Sequence, residues 1–373
     1  MTGLTITSVD ATILDIPMRR PHRFSVLTIE GQSVVLVRVF TRTGPVGIGE
    51  GVVPGGPWWG GESVEGIKEL IDRYLTPMLT GQDASRVRYL SALMDRMISG
   101  APFAKAAVEM ALWDISGKAA GLPVYRLLGG LHRNRLPVTW ALGADCADTV
   151  VAEARDKLDR HLHRSFKLKM GAEEPPDDVS RVTEIAARLA GAASIAVDLN
   201  GTWDEPTAKR WLPELAAAGI TLAEQPVPGW NTAALGRLTA ELTIAVMADE
   251  SLRTVHDGAQ LAAAHAADIF AVKLAKSGGI CNVQTIGAIA DAYGIPCYGG
   301  TTIETSVGTA AAAHAFCSMP ALTAGTELFG PMLLADDIVK HPVRYSEGHL
   351  HLPQGPGLGV ELDEDKVAKY ARG

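Results

Sequence analysis

The sequence predicts an α/β protein, a (β/α) barrel with a smaller α+β unit ahead of it. Three observations predict it. Eight short β-rich runs begin at residues 138, 166, 194, 220, 244, 268, 295 and 321, so they recur every 24–28 residues. Stretches rich in Ala, Leu, Glu and Arg fill each interval, which is the pattern of a repeated βα unit rather than of an amino-acid repeat. Ahead of residue 128 the order changes to strands first and helices after, the arrangement of a separate α+β layer.

The first elements are strands. TITSVDATILDI and SVVLVRVF carry β-branched, partly alternating patterns, and residues 45–51 add a short third strand, together an antiparallel sheet. Residues 19–33, rich in Pro, His, Arg and Ser, form a loop between the first two strands. A second loop, residues 51–61, sets Gly51, Gly55, Gly56, Gly60 and Gly61 around Trp58 and Trp59. That glycine density permits motion, and paired tryptophans in a loop need something to cover. Three helical segments follow, EGIKELIDRYLTPML, SRVRYLSALMDRMIS and PFAKAAVEMALWDISGKAAG, separated by Gly81 and Gly100. The third opens near Pro102 and stops at Gly121-Leu122-Pro123.

The eight later runs are VTWAL, FKLKM, SIAVD, ITLAE, IAVMAD, DIFAVK, IPCYGG and ALTAGTE. Their near-continuous apolar character suits parallel strands buried on both faces, as in a closed barrel. An open doubly wound sheet would announce itself with a glycine fingerprint between a strand and a helix. The nearest match, Gly47-Ile48-Gly49-Glu50-Gly51, has no helix behind it and reads as a turn.

Composition narrows the function. Lys and Arg number 34 against 42 Asp and Glu, a formal charge of −8, and no basic stripe exists to neutralise phosphates, so a nucleic-acid partner is excluded. No apolar run reaches 18 residues and no basic start precedes an apolar block, which argues against membrane insertion and secretion. Cys146, Cys281, Cys297 and Cys317 are too far apart for a metal clip and read as buried reduced thiols, hence a cytoplasmic protein.

Barrel enzymes carry their chemistry at the C-terminal ends of the strands. Here those ends read Lys167-Leu168-Lys169, Asp198-Leu199-Asn200, Glu224-Gln225-Pro226, Asp249-Glu250, Lys273 and Glu327. The side-chain period of two puts Lys167 and Lys169 on one face, and likewise Asp198 and Asn200. Asp198, Glu224 and Asp249, on three adjacent strands about 5 Å apart, converge on an all-oxygen site that suits Mg²⁺ or Mn²⁺ and disfavours zinc. Any one of these acids could simply cap the helix that follows. The set could not, because caps require no lysines on the flanking strands and three uncompensated carboxylates would raise one another's pKa. Lys169 and Lys273 then face a metal-held substrate from opposite sides, with Lys167 acting electrostatically on Lys169. Such a site exchanges a proton on the carbon next to a carboxylate.

FKLKMG (166–171), VDLNG (197–201), AEQP (223–226), ADES (248–251), VKLAKSGGI (272–280) and AAVEMALWDISGKAAGLPVYRLLGG (106–130) together resemble the enolase superfamily, muconate-lactonizing subgroup, along essentially the whole chain. The resemblance implies a modified (β/α)7β TIM-like barrel over residues 129–327, an N-terminal α+β capping domain over 1–128 with two lid loops, and a C-terminal segment, 328–373, returning to the cap. GGTTIETSVGTAAAAHAF (299–316) and GTELFGPMLL (325–334) resemble muconate and chloromuconate cycloisomerases in particular. The implied reaction is reversible lactonisation of cis,cis-muconate through an enolate. Carried over by position, Asp198, Glu224 and Asp249 bind one Mn²⁺ or Mg²⁺ per subunit, Lys169 and Lys273 are the acid/base pair, and Lys167 tunes Lys169. Glu327, Asn200, Trp59 and His22 face the dicarboxylate substrate. A homo-oligomer, an octamer, is implied by resemblance alone. N-acylamino acid racemase and o-succinylbenzoate synthase share the acids and both lysines. Thr326-Glu327-Leu328 stands where dipeptide epimerases carry an Asp-x-Asp pair for an ammonium group, which disfavours an amino substrate. A non-catalytic barrel binding an acidic ligand would show a broken acid set or a missing lysine, and neither is seen.

Overall fold

The computed structural model describes residues 3–373. Its first layer is an antiparallel sheet, β1 (Ile6–Arg23), β2 (Thr28–Thr41) and β3 (Gly47–Val52), in that order. β1 runs on past the predicted strand to Arg23, with a register shift between Pro17 and His22, and pairs again through His22 with Ile29. Residues 19–33 are therefore mostly a two-stranded ribbon rather than a loop. Only its tip turns freely, where the Phe24 N–H donates to the Leu27 carbonyl at 2.8 Å.

The glycine run at 47–51 belongs to the expected third strand and is not itself a turn. β3 lies directly under the helix Pro102–Ala120, and a Cβ at Gly49 would stand 1.9 Å from the Ala107 carbonyl oxygen. Glycine is needed there so that helix backbone and strand backbone can touch. That helix is buried around most of its girth, including Glu109 and Asp114, because cap strands cover one side and the barrel the other. The segment EGIKELIDRYLTPML forms Val64–Leu70 and Thr76–Leu79 with one π-helical turn, Ile71–Leu75, between them. Pro77, lacking an N–H, sits just after the π turn, where widened hydrogen bonding is the usual accommodation.

After β4 (Arg135–Pro137) comes the barrel: β5 (Trp140–Leu142), β6 (Ser165–Lys169), β7 (Ser194–Asp198), β8 (Leu222–Glu224), β9 (Ala245–Ala248), β10 (Ile269–Val272) and β11 (Cys297–Gly299). All neighbours pair in parallel in sequence order. The eighth predicted strand, 321–327, is reduced to single bridges from Thr326 to Val138 on one side and Gly299 on the other. These bridges still close the ring, through Thr139 N–H to Thr326 O at 2.7 Å and Glu327 N–H to Gly299 O at 2.7 Å. Met247, Ala271 and Tyr298 pack inside the barrel, apart from the main core. β12 (Tyr345–Ser346) and β13 (His349–His351) join β4 in a small antiparallel sheet. The chain then returns to the cap, where Ala371 bridges Leu14 and the Arg372 guanidinium grips Asp15. Cys146 is exposed, against expectation, because it is the N-cap of the helix Ala147–Asp159 on the barrel surface; the other three thiols are buried and all four are free. No helix among the described residues is long and apolar enough to cross a membrane.

Cap and barrel are clasped by carboxylates. Glu50 of β3 accepts from the Thr305 N–H (2.9 Å), the Thr305 hydroxyl and the Gly308 N–H (3.0 Å), while Asp337 accepts from the Ser306 hydroxyl at 2.6 Å. Both therefore serve the N-terminus of the helix Ser306–Cys317. Burial, with the Glu304 carboxylate adding to it, pushes Glu50 up to about 7 against these hydrogen bonds. A raised carboxyl pKa gives stability that is complete below the unfolded value and is lost as pH climbs through the folded one. Between pH 5 and pH 8 wild-type stability should thus fall by about 2.5 kcal/mol more than that of Glu50→Gln. Urea unfolding of both at the two pH values checks this, and equal pH dependence would remove Glu50 as the source.

Candidate active site

The strand ends bring the charges together. Lys169, Asp198 and Glu224 are paired in one line across β6, β7 and β8, Asp249 and Lys273 follow the last residues of β9 and β10, and Glu327 follows the closing Thr326. Parallel strands in register at their C-terminal ends make this alignment unavoidable once the barrel forms.

Every acid is met by an ammonium group. Lys169 donates to Asp198, Lys167 to both Glu224 and Glu327, and Lys273 to Asp249 Oδ2 at 2.5 Å. Lys276, one turn beyond Lys273, donates to Asp249 Oδ1 and to the carbonyls of Asp249 (2.7 Å) and Ala271 (2.9 Å), so all its protons are used. As the side chains stand, no three carboxylate, imidazole or thiol groups among the described residues enclose an ion, because lysines lie between the acids. Burial alone would lower the Lys167 pKa, but Glu224 and Glu327 hold it well above its ordinary value. Burial also works against Asp249, yet Lys273 and Lys276 keep its carboxyl far below the usual range. Glu224 goes the other way: burial and the nearby Asp198 charge push it well up despite Lys167.

The residues fit a hard divalent cation. The donors are all oxygen, three acids sit on neighbouring strand ends, and their mutual repulsion is already expressed in Glu224. Beside them the buried Oε2 of Glu250 has no hydrogen-bond partner, while its other oxygen accepts from Asn200 (3.0 Å) and Trp59 (2.9 Å).

The pocket above holds about 430 Å³ of space free of protein atoms, counted out to where it opens to solvent. Lys167, Lys169, Asp198, Asn200, Lys273 and Glu327 form its floor and walls, and His22 and Trp59 reach in from the ribbon and the 51–61 loop. Glu224 and Asp249 do not line it; Lys167 and Lys273 cover them. Lys273 lies 4.2 Å from the centroid of the Trp59 ring, and Lys169 5.2 Å from that of Phe24, so each lid sets an aromatic face on one ammonium. Asn200 is spent within the protein, donating to Asp198 and Glu250 and accepting from the Ser25 hydroxyl at 3.0 Å. Lys167, bound to Glu224 and Glu327, braces two acids rather than simply lying beside Lys169.

Sequence reasoning missed Lys276, and it placed Gln225 and Glu250 at strand ends without assigning either a role. The Lys273-x-x-Lys276 spacing was a readable signal, since it puts both ammonium groups on one carboxylate. Gln225 was not readable: at φ 39° its amide accepts from the Asp249 N–H (2.9 Å) and donates to the Ser251 hydroxyl (2.8 Å), fixing the turn after β9.

Comparisons with known proteins identify the family. Residues 8–129 match the family described as mandelate racemase / muconate lactonizing enzyme, N-terminal domain, and residues 149–366 match enolase C-terminal domain-like proteins. Muconate cycloisomerase 1 of Rhodococcus opacus is 46% identical over the whole of both chains. A chloromuconate cycloisomerase of Cupriavidus necator is 43% identical over 99% of this chain and 100% of its own. Among solved structures, 2-chloromuconate cycloisomerase from Rhodococcus opacus superposes with a TM-score of 0.97 at 50% identity, covering 99% of this chain and 100% of that one. Muconate lactonizing enzyme of Pseudomonas fluorescens complexed with muconolactone gives 0.98 at 43%, covering both chains completely.

Proposed function

Since the chain belongs to the mandelate racemase and muconate lactonizing enzyme family of the enolase superfamily, we infer that it is an isomerase, an intramolecular lyase that converts cis,cis-muconate reversibly into muconolactone. The observation that carries the reading is the pair of lysines, Lys169 and Lys273, flanking a row of buried acids in a pocket at the mouth of the barrel.

One substrate carboxylate oxygen bonds to the far carbon of a conjugated double bond, and the displaced π electrons move onto the other carboxylate as an enolate. Lys169 gives its proton to the carbon next to that carboxylate, and the neutral amine regains a proton from solvent; the reverse reaction removes the same proton. Lys273 supplies positive charge from the opposite face, and Lys167 holds Glu224 and Glu327 in place. The aromatic lids exclude water, which strengthens each of these interactions. Asp198, Glu224 and Asp249 would hold a divalent ion, Mn²⁺ or Mg²⁺, one per subunit. When bound, such an ion supplies charge that stabilises the enediolate, as is general for enolase-superfamily sites.

The same reading takes the chain as a cytoplasmic homo-oligomer of aromatic-compound catabolism, with a cap to residue 128, a barrel to 327 and a returning tail. A chlorinated muconate is the second substrate we propose, supported by the 50% identity to a 2-chloromuconate enzyme and by the pocket walls of Trp58, Trp59 and Phe24. The metal-loaded chain is expected to turn over muconate and 2-chloromuconate with kcat/KM at least ~100-fold above that for N-succinyl amino acids, a gap of about 2.7 kcal/mol. Preference for the N-succinyl compounds would replace the reading with a racemase.

A further inference from the structure

His22 enters the pocket from the ribbon, and its state is set by a neighbour to which no role has yet been given. Arg20 and His22 lie two apart on β1, so their side chains leave the ribbon on the same side. One guanidinium nitrogen of Arg20, Nη1, stands 3.1 Å from His22 Nδ1 and also donates to the Pro21 carbonyl at 3.0 Å. The other two nitrogens anchor to the barrel: Nε donates to Glu153 at 2.9 Å and Nη2 to the Ala141 carbonyl at 3.0 Å. Glu153 is itself fixed by the Trp140 indole N–H at 2.7 Å.

A guanidinium has donors and no acceptor. The imidazole nitrogen facing it must therefore accept, which leaves Nδ1 without a proton and puts the single ring proton on Nε2. Nε2 has no hydrogen-bond partner among the described residues, and the ring lines the pocket. Its flanks are apolar, with Phe24 edge-on at 4.7 Å and Phe329 at 6.4 Å. Burial first, and then the positive charges of Arg20, Lys169 and Lys167, hold its pKa well below the ordinary histidine value; the carboxylates that share the pocket, Asp198 and Glu327, are paired with those lysines.

We propose that Arg20 is a positioning residue that fixes His22 as a neutral imidazole with Nε2–H aimed into the pocket, and that this N–H is the uncharged donor to a carboxylate or lactone-carbonyl oxygen of the substrate. The second half rests on the lactonisation reading. Ring closure turns a charged carboxylate into a neutral ester, so a donor meant to hold both partners of a reversible reaction gains from having no charge. An imidazolium would favour the open dianion and oppose closure. Arg20 cannot be replaced in this by a group that accepts, because an acceptor would draw the proton to Nδ1 and turn a lone pair toward the substrate.

Nitrogen-15 NMR of histidine-labelled full-length wild-type protein tests the tautomer, with His22 assigned by the signal lost in H22Q. The expected result is a protonated Nε2 and an unprotonated Nδ1 throughout pH 6–8; a proton on Nδ1, or on both, overturns the proposal. In R20M the pattern is expected to become mixed or to titrate, and KM for muconate to rise about 10-fold, the worth of one misaligned hydrogen bond, with kcat changed less than about threefold. Glutamine presents its own neutral N–H, so R20M/H22Q is expected to match H22Q alone, whereas additive losses would contradict the coupling. If wild-type protein turns over no muconate, the functional reading fails while the NMR result still decides the Arg20–His22 relation. If muconate is turned over and the tautomer is wrong, only this inference falls.

Discussion

Lys169→Ala is expected to lower kcat for muconate by about 10²- to 10⁴-fold, the usual contribution of a positioned acid or base, while a divalent cation still binds. Lys169 ends β6 on the pocket wall and donates to Asp198, whose pKa it draws down, with Lys167, against the cost of burial. Removing it deletes the proposed proton donor and leaves all three candidate ligand acids in place, so metal affinity should hold or tighten as a competing ammonium disappears. Steady-state turnover and Mn²⁺ titration of the same preparation separate the two effects. Retention of most activity would assign the essential proton transfer to Lys273.

Asp198→Asn should weaken divalent-metal binding by at least about 100-fold and lower activity with it, since even partners of ligands typically cost 10- to 100-fold. Asparagine keeps the shape and an oxygen for the Asn200 N–H, which now donates to Asp198 Oδ1 at 3.0 Å. It loses the charge, and Lys169 is left buried without its carboxylate, a change that costs about 3–5 kcal/mol when one member of a buried pair is removed. Calorimetric metal titration and thermal unfolding should therefore both register the substitution. Normal activity of the chelator-treated variant would contradict the ligand role.

The site residues were legible because a parallel barrel makes sequence position almost equivalent to spatial position: apolar runs mark strands, and the charged residue ending each run marks the mouth. What escaped depended on contacts between distant segments. Residues 45–51 read correctly as a strand, but why Gly47 and Gly49 stand in it is explained only by the overlying helix Pro102–Ala120, which leaves no room for a Cβ. Residues 19–33 read as a loop because Pro, His, Arg and Ser dilute the strand pattern, whereas β1 continues through them with a register shift between Pro17 and His22. ALTAGTE carried a strand's composition, yet only Thr326 bridges both neighbours. Asn200 was readable as facing the pocket but not as a link, since Ser25 and Glu250 reach it from segments 175 and 50 residues away. The lysine–carboxylate pairs were equally hidden: the acids and amines were visible, but which would grip which is decided by rotamers inside the closed ring.

On binding a metal, Asp198, Glu224 and Asp249 are expected to release their lysines and gather on one cation. Diffraction from Mn²⁺-soaked crystals, recorded at the manganese absorption edge, tests it most directly. A single anomalous peak is expected about 2.0–2.3 Å from one oxygen each of Asp198, Glu224 and Asp249, with the Lys169 and Lys273 ammonium groups turned toward the pocket. A peak elsewhere, or none with both lysines still bound to their carboxylates, would contradict it.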